Sequence, residues 1–345
     1  MQARRPTIDD VARHSGVART TVSRVLNDGP NVRPEVRDRV WAAVQALNYT
    51  VNPQARSLAS GSSGLIALVF ASDFDAQPNS FYASALELGA LHECLVQGRQ
   101  LLTRHVPQDA PDRKRQVLEL IRNQRCQGVI LTPPFSDDPD LVQAVSAQCA
   151  TALISPSPAT RRFADGVGVD DEEGGYDLGR HLTGLGHRRL AYIGGLPEHL
   201  SAARRLEGLR RAVRERGLPD DAIRVAEGDF TFRSGVELAR AMLAGEERPT
   251  AIVCANDDMA AGALSAAHGF SLSVPEDVAV TGFDDTPVSE IVWPPLTTVH
   301  QPLRDMAGAA VASICRRLAG DAETAAFETL PHRLVARAST GPAAA

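Results

Sequence analysis

The stretch Thr7–Asn27, TIDDVARHSGVARTTVSRVLN, decides the fold of the N-terminal region. Thr7 and Asp10 have the spacing of a capping box, which begins a helix. Gly16 supplies the left-handed conformation that a tight turn needs, and a second short helix then buries Val22. Two short helices joined through a glycine-containing turn predict a helix-turn-helix, whose second helix can enter a DNA major groove. An ordinary helical hairpin is the alternative.

A third helix and a short polar segment follow. The run PEVRDRVWAAVQALNY (34–49) carries one apolar stripe and is expected to close a small three-helix core. The segment TVNPQARSLASG (50–61) is too short to hold helical structure alone in water. It is either a plain interdomain linker or a hinge that folds only when paired with its twin on DNA, where an apolar side chain wedges into the minor groove.

Charge divides the chain into two unequal parts. Its 345 residues predict two or three domains, and its net charge is −6. Residues 1–60 carry nine arginines and five acidic residues, so the excess of acids lies entirely in the remainder. A basic N-terminal module on an acidic body indicates that only the N-terminus meets a polyanion.

Cysteine usage and hydropathy limit the protein class further. The five cysteines are widely spaced and form no C-x-x-C, which is typical of reduced thiols in the cytosol. No apolar run approaches the length of a membrane span, and the N-terminus lacks the apolar region of a secretory signal. His181 and His187 flank a glycine-containing turn and are expected to be structural. We therefore expect a cytoplasmic protein without a metal ion, an organic cofactor or a membrane partner.

From residue 65 onward, short β-branched runs alternate with amphipathic helices, which is the pattern of parallel α/β sheets. Two such series predict two doubly wound lobes with a ligand cleft between the carboxyl ends of their strands. The first series has strands at 65–70, 100–103, 128–131 and 152–154 and helices at 81–97, 112–124 and 138–148; the second has strands at 166–169, 190–195, 251–256 and 278–283 and helices at 173–185, 202–216 and 257–268. A helix over 303–318 is expected to cross back into the first lobe, and 332–337 to form a last strand.

Six motifs appear in a set order along the chain: DVARHSGVARTTVSRVLN, NPQARSLASG, GLGHRRLAYIGG, ANDDMAAGAL, VTGFDDT and PPLTTVHQP. With them the chain resembles the lactose-repressor/galactose-repressor (LacI/GalR) family of bacterial transcription regulators over nearly its whole length. The resemblance implies an N-terminal all-α helix-turn-helix headpiece and an α/β periplasmic-binding-protein-like effector domain of two doubly wound lobes. It also implies a dimer on a palindromic operator, controlled allosterically by a small effector.

The resemblance implies a division of the chain into functional parts. The headpiece takes residues 1–49, the hinge or linker 50–61, the effector-binding and dimerisation domain 62–340, and a disordered tail 341–345. Within the effector domain, the first lobe takes about 62–162 and 299–328, and the second about 163–298 and 329–340.

The resemblance also implies DNA contacts. Arg19, Thr20 and Arg24 match base-reading positions; an arginine can bond bidentately to guanine, and a threonine offers a hydroxyl together with a methyl group for thymine. A phosphate contact is the alternative for Arg24. The other DNA contacts implied are Thr7, Thr21, Ser23, Asn27, Arg33, Tyr49, Asn52, Ala55 and Leu58, of which Leu58 matches the minor-groove wedge.

In the effector domain, the matching polar ligand groups are Arg205, Asn256, Asp257 and Asp284, with Phe230 as a stacking aromatic and Ser72 and Thr132 as weaker candidates in the first lobe. A forked arginine beside carboxylates and an amide suits sugar hydroxyls, and an aromatic ring can cover the CH face of a sugar. Each polar group also has a structural alternative: Asp257 can cap a helix, Asp285 can close a turn, and Arg205 can pair with acids near Glu207 on a solvated helix. Pro156 stands where relatives commonly carry an aspartate.

The expected function is a dimeric repressor of carbohydrate-metabolism genes, controlled by a small sugar-like effector. A regulator that responds to a nucleobase is the first alternative. A carbohydrate-active enzyme would use paired carboxylates such as Asp257 and Asp284, but no motif supplies an activated nucleophile or a complete phosphate loop. A transport-type binding protein conflicts with the basic helix-turn-helix and the missing secretory signal. We therefore expect no enzymatic activity.

Overall fold

The computed structural model describes residues 6–26, 29–49, 63–72, 81–107, 110–245, 247–321 and 324–343. They fall into two compact units that divide between Ser63 and Gly64. The first unit contains three helices, α1 (Ile8–Ser15), α2 (Arg19–Leu26) and α3 (Pro34–Ala46). The predicted hinge over 50–61 lies outside the described residues.

The first unit is the predicted helix-turn-helix with a third helix. The capping box is present, since the Thr7 backbone N–H donates to Asp10 Oδ2 at 2.9 Å and the Asp10 N–H donates to Thr7 Oγ1 at 3.4 Å. Gly16 ends α1 in the left-handed conformation, with φ of 68°. The buried core consists of Val11, Val22, Val25, Val40 and Ala43. All three helices contribute to it, so the short helices are stabilised by packing against one another.

The second unit alternates strands and helices. In chain order they are β1 (Leu65–Ser72), α4 (Phe81–Val96), β2 (Gln100–Pro107), α5 (Arg113–Gln124), β3 (Gly128–Leu131), α6 (Pro139–Ser146), β4 (Ala150–Ile154), β5 (Asp165–Gly168), α7 (Asp171–Gly184), β6 (Leu190–Ile193), α8 (Leu200–Glu215), β7 (Ile223–Ala226), α9 (Phe232–Leu243), β8 (Ala251–Cys254), α10 (Asp257–Gly269), β9 (Ala279–Thr281), α11 (Val288–Ile291), β10 (Thr298–His300), α12 (Leu303–Ala319), β11 (Phe327–Thr329) and β12 (Arg333–Val335). Among the helices of the described ranges, none is both long and apolar enough to cross a lipid bilayer.

Two parallel sheets organise the second unit, as the alternating pattern predicts. The first sheet has the order β11-β5-β4-β3-β1-β2, and the second has the order β7-β6-β8-β9. Strands β10 and β12 form a separate antiparallel pair. We call the first sheet with α4, α5, α6 and α12 the first lobe, and the second sheet with α7 to α10 the second lobe. Helix α12 buries Met306 and Ile314 in the core of the first lobe, which confirms the predicted return crossing.

The predicted boundary between the lobes at residue 163 is wrong. The run 166–169 was expected to begin the second series, but β5 pairs with β4 on one side and with β11 on the other, inside the first sheet. Gly166 permits this arrangement, because a Cβ there would lie 2.6 Å from the Pro156 ring. A short apolar run predicts a strand, but it carries no information about which sheet the strand joins.

Several elements and the tail also differ from the sequence expectation. Strands β7, β10 and β11 and helices α9 and α11 were not predicted. Strand β7 lies at a sheet edge, where two of its four residues are exposed. The tail was expected to be disordered from residue 341. Instead the Ala343 N–H donates to the Leu185 carbonyl at 2.9 Å, and the Gly341 carbonyl lies 3.1 Å from His187 Nε2. Residues 341–343 are therefore held through backbone groups, which composition does not report, and the structural role of His187 is confirmed.

Glycines let α7 and α8 approach closely and so place the side chains of the cleft. A Cβ on Gly208 would collide with the Glu172 carbonyl, and one on Gly175 would collide with the backbone of Arg205. Because neither glycine has a side chain, the N-terminal half of α8 lies directly against the first turn of α7. Arg205 thereby comes within reach of Asp171.

Candidate functional site

The recognition surface predicted on α2 is exposed. Arg19, Thr20 and Arg24 are exposed, whereas Val22 and Val25 face the core. Thr20 and Arg24 are four residues apart and lie on the same side of the helix. The Arg19 Nε lies 3.7 Å from Asp9 Oδ1, and both side chains are largely solvent-exposed. This face therefore presents two guanidinium groups and a hydroxyl to any partner that approaches the helix.

The remaining predicted DNA contacts have mixed environments. Thr7 is occupied locally, because its hydroxyl donates to Asp10 Oδ2 at 2.7 Å. Arg33 is exposed and precedes α3 without a side-chain capping bond. Tyr49 packs against the three-helix core. Thr21 and Ser23 are half-buried on α2, and Asn27, Asn52, Ala55 and Leu58 lie outside the described residues.

Arg205 is buried in the second lobe and held by a partner that the sequence analysis missed. Its Nε donates to Asp171 Oδ1 at 2.9 Å, and the Asp171 side chain is wholly buried. Its Nη1 donates to the Ala255 carbonyl, and its guanidinium carbon lies 3.7 Å from the centre of the Phe283 ring. Pairing with acids near Glu207 on a solvated helix is therefore wrong. Within the described ranges, Nη2 of Arg205 has no hydrogen-bond partner, so this donor remains for a ligand.

Asn256, and not Asp257, caps helix α10. The Asn256 Oδ1 accepts from the Met259 N–H at 3.0 Å, and its Nδ2 donates to the Phe230 carbonyl at 2.9 Å. Both the oxygen and the nitrogen of this amide are therefore hydrogen-bonded within the protein, and the bond from the nitrogen positions the backbone of Phe230. The capping alternative for Asp257 is wrong.

Asp257, at the start of helix α10, is hydrogen-bonded to the loop after β9. Its Oδ2 accepts from the Thr286 N–H at 2.7 Å and from the Thr286 hydroxyl at 3.0 Å. Its Oδ1 accepts from the Thr298 hydroxyl at 2.7 Å. Both carboxylate oxygens are thus occupied by protein donors, although burial, with Asp284 nearby, raises the pKa of Asp257. Its role in the cleft is to position neighbouring groups.

Asp284 and Asp258 are the carboxyl groups of the cleft with unoccupied oxygens. Asp284 Oδ1 accepts from Gln301 Nε2 at 2.6 Å, and no described donor bonds to its other oxygen. Burial raises the pKa of Asp284 to about 7; the Arg205 charge lowers it and the Asp258 charge raises it. Burial also raises the pKa of Asp258 to about 6, and no described side chain or backbone N–H bonds to its carboxylate. Asp258 was absent from the predicted ligand set, although its place beside Asp257 could have suggested it.

The adjacent Asp285 has the opposite environment. It accepts from Arg337 Nη2 at 2.7 Å and lies 3.0 Å from His300 Nδ1. Burial raises the pKa of Asp285, but the hydrogen bond and the charge of Arg337 outweigh burial and hold this pKa below its usual value. The alternative of a structural role for Asp285 is confirmed.

Phe230, the predicted stacking aromatic, lies beside a second aromatic ring. Its ring centre lies 4.9 Å from that of His199, with the planes inclined by 50°. A side chain at Gly195 would force the Phe230 ring to move. Burial lowers the pKa of His199 to about 4, and its imidazole is therefore neutral at pH 7. His199 is therefore an aromatic neighbour of Phe230 that the sequence analysis did not identify.

The two first-lobe residues predicted as weaker ligand contacts, Thr132 and Ser72, have polar partners within the protein. The Thr132 hydroxyl donates to the Val69 carbonyl at 3.0 Å and is buried, so it joins β3 to β1. Ser72 Oγ lies 2.6 Å from His105 Nδ1. Burial, with the Asp284 carboxylate nearby, raises the pKa of Tyr82, and its hydroxyl has no hydrogen-bond partner in the described part of the chain. Tyr82, at the N-terminal end of α4, is therefore a stronger candidate than Thr132 or Ser72 for a ligand contact from the first lobe.

Each of the two units matches a known protein family. Residues 7–52 match the bacterial regulatory proteins of the lacI family, and residues 180–340 match the periplasmic binding protein-like domain. Catabolite control protein A of Priestia megaterium is 31% identical over 335 residues, which cover 97% of this chain and 99% of that protein. The chain belongs to the lacI family. It is a DNA-binding transcriptional regulator with a lac repressor-like fold.

Other lacI-family proteins extend the comparison. The transcriptional repressor PurR of Aliivibrio salmonicida is 32% identical over 316 residues, which cover 90% of this chain and 92% of PurR. The lac repressor dimer bound to operator and the anti-inducer ONPF superimposes with a TM-score of 0.84 at 29% identity, covering 98% of this chain and 100% of that one. The complex of the regulator CelR with cellobiose superimposes with a TM-score of 0.74 at 30% identity, covering 97% and 100%.

Proposed function

We propose that this lacI-family regulator is a homodimeric repressor of carbohydrate-metabolism genes that acts in the cytoplasm and responds to a small neutral sugar. The observation that carries the proposal is a cluster of polar side chains in the second lobe. There, an arginine anchored by a buried aspartate keeps one donor free beside two carboxyl groups with free oxygens. In this proposal, residues 1–49 read DNA, 50–61 connect, and 62–340 bind the effector and dimerise.

The exposed face of α2 supports the DNA-reading role. Arg19, Thr20 and Arg24 would contact base edges, because guanidinium and hydroxyl groups match the hydrogen-bonding pattern of the major groove. Thr21, Ser23 and Arg33 would contact phosphates and fix the register. Leu58 would wedge into the minor groove once the two hinges pair on cognate DNA.

The chemistry of the cleft supports a polyol ligand. Arg205 Nη2 offers a donor, Asp258 and Asp284 offer acceptors, and the Phe230 ring offers an apolar face. A neutral sugar presents donors, acceptors and CH groups in this combination, whereas the excess of carboxyl groups disfavours a strongly anionic ligand. The similarity to the CelR–cellobiose complex favours the same class. A planar nucleobase is the second candidate, because Tyr82 and Phe230 can stack on such a ring.

Helix α4 supports the homodimer. Leu88, Leu91 and Leu95 recur at helical spacing and are 49%, 41% and 69% exposed. An apolar stripe of this kind on a soluble protein marks an interaction surface. A second copy of the chain would cover the same stripe on its partner by two-fold symmetry.

Selection of duplexes from a random pool at physiological salt tests the proposed function. We expect enrichment of a roughly palindromic site, since each recognition helix of a dimer reads one half-site. Gel shifts of that site with cellobiose, lactose and hypoxanthine then test control by an effector. A change in affinity with a sugar supports the first candidate, and a change with hypoxanthine supports the second. Failure to prefer any duplex over random competitor, with or without these compounds, would refute the proposal.

Arg24→Ala should weaken binding to the selected site by roughly 1–3 kcal/mol and relax the preference at one base position, because a bidentate contact to guanine is lost. Competition binding against duplexes mutated at each position measures both effects. Arg39→Ala, which removes an exposed charge from α3, serves as the matched control and should leave base preference unchanged. An equal loss across all duplexes for Arg24→Ala would show that Arg24 contacts phosphate.

A further inference from the structure

A single carboxylate joins the two lobes at the rim of the cleft. Asp137 lies in a short turn of the first lobe, and its Oδ1 accepts from the Ser157 N–H at 2.7 Å. Its Oδ2 accepts from the Leu200 N–H at 3.3 Å. Leu200 is the first residue of α8 in the second lobe. The carboxylate therefore satisfies an otherwise unpaired amide at a helix N-terminus, where a negative charge is favourable.

Arg204 makes a second bridge between the lobes one helical turn later. Its Nη2 donates to the Ser155 carbonyl, in the first lobe, at 3.3 Å and to Asp171 Oδ2, in the second lobe, at 2.9 Å. Ser155 has φ of 47°, a left-handed conformation that non-glycine residues adopt at a cost. The segment Ser155–Ser157 is thus held at two points, one through Arg204 and the other through Asp137.

Asp171 connects this bridge to the effector cleft. One of its oxygens accepts from Arg204 and the other from Arg205, each at 2.9 Å. The Asp171 side chain is completely buried, and that of Arg204 is 23% exposed. A buried carboxylate thus holds two adjacent guanidinium groups at once, and losing either bond would leave a buried charge less well paired.

We propose that Asp137 and Arg204 form a latch between the lobes, and that Asp171 couples this latch to Arg205. The latch consists of the bonds from Asp137 to Leu200 and Ser157 and from Arg204 to Ser155. A ligand that displaces Arg205 redistributes the bonds of Asp171 and so loosens or tightens the latch. Asp137 and Arg204 are therefore positioning residues that act on the cleft through Asp171. The latch itself is testable without DNA or an effector, so its failure is distinct from failure of the proposed function.

Amide hydrogen exchange of the full chain, followed by mass spectrometry on overlapping peptides, tests the latch. The Leu200 amide has Asp137 as its acceptor, so Asp137→Ala should accelerate exchange at Leu200 and Ser157 by roughly tenfold, the effect of losing about one hydrogen bond. Asp137→Asn is the isosteric second variant; it turns one acceptor oxygen into a donor that faces an N–H, and it should accelerate one of the two amides. Unchanged exchange at both amides in both variants would refute the latch.

Asp138→Ala is the matched control, because Asp138 caps α6 within the first lobe through the Leu141 N–H at 3.1 Å. It should accelerate exchange at the start of α6 and leave Leu200 unchanged. The coupling has its own test in Asp171→Asn, which touches neither Leu200 nor Ser157. Faster Leu200 exchange in this variant supports transmission through Arg204. Unchanged exchange there, with the Asp137 variants behaving as expected, would refute the coupling.

Discussion

Replacing Arg205 with alanine should lower the free energy of unfolding of the second unit by about 3–5 kcal/mol, the usual cost of removing one partner from a buried ion pair. The Asp171 carboxylate would keep Arg204 but lose its more deeply buried partner, and the Ala255 carbonyl would lose its donor. The ring of Phe283 would also lose the guanidinium that covers it. Urea unfolding of the full chain at pH 7, followed by circular dichroism, measures the change.

A double-mutant cycle separates the ion pair from the loss of packing. Asp171→Asn combined with Arg205→Ala should cost clearly less than the sum of the two single variants, because the uncompensated buried charge is then removed. Arg210→Ala is the control, since Arg210 pairs with Glu207 on the exposed side of the same helix; it should change the unfolding free energy by less than about 1 kcal/mol. Additive effects of the Asp171 and Arg205 variants would contradict the ion-pair interpretation.

Asp284→Asn should stabilise the protein, and the gain should grow with pH. Burial raises the pKa of Asp284 from 3.8 to about 7, so the folded state retains a proton that the unfolded chain has released. The wild type therefore loses stability relative to the variant as the pH rises from the unfolded pKa through the folded one. The asparagine keeps an acceptor for Gln301 and has no charge to bury. Urea unfolding of both proteins at pH 5, 6 and 8 measures the gain.

The adjacent Asp285 provides a control, because its replacement should change the stability in the opposite direction. The charge and hydrogen bond of Arg337 lower the pKa of Asp285, so its contribution to stability is present above the unfolded pKa and is lost as the pH falls through the folded one. Asp285→Asn should therefore destabilise the protein at pH 8. If Asp284→Asn gave the same gain at pH 5 as at pH 8, the raised pKa of Asp284 would be wrong.

Most elements could be predicted from local pattern, and the failures have identifiable physical reasons. Strands such as β3 are continuous apolar runs between turn signals, and α1 has its cap and its terminal glycine within ten residues. The edge strand β7 alternates weakly and has only four residues, so periodicity does not distinguish it from a loop. Strand β5 was recognised but assigned to the wrong lobe. It pairs with β4 and β11, and a local sequence pattern does not report which strands will pair.

By itself, the sequence determined the helix-turn-helix, the two α/β series, the family, and the candidates Arg205, Asp284 and Phe230, because caps, periodicity and motif spacing are properties of neighbouring residues. Only the tertiary structure decided which of the polar groups are occupied and which are free. Asp171 meets Arg205 across 34 residues, Asp257 meets Thr298 across 41, and Asp137 meets Leu200 across 63. Such pairings depend on how helices and sheets pack, and whether a carboxylate holds the protein together or remains available to a ligand follows from that packing.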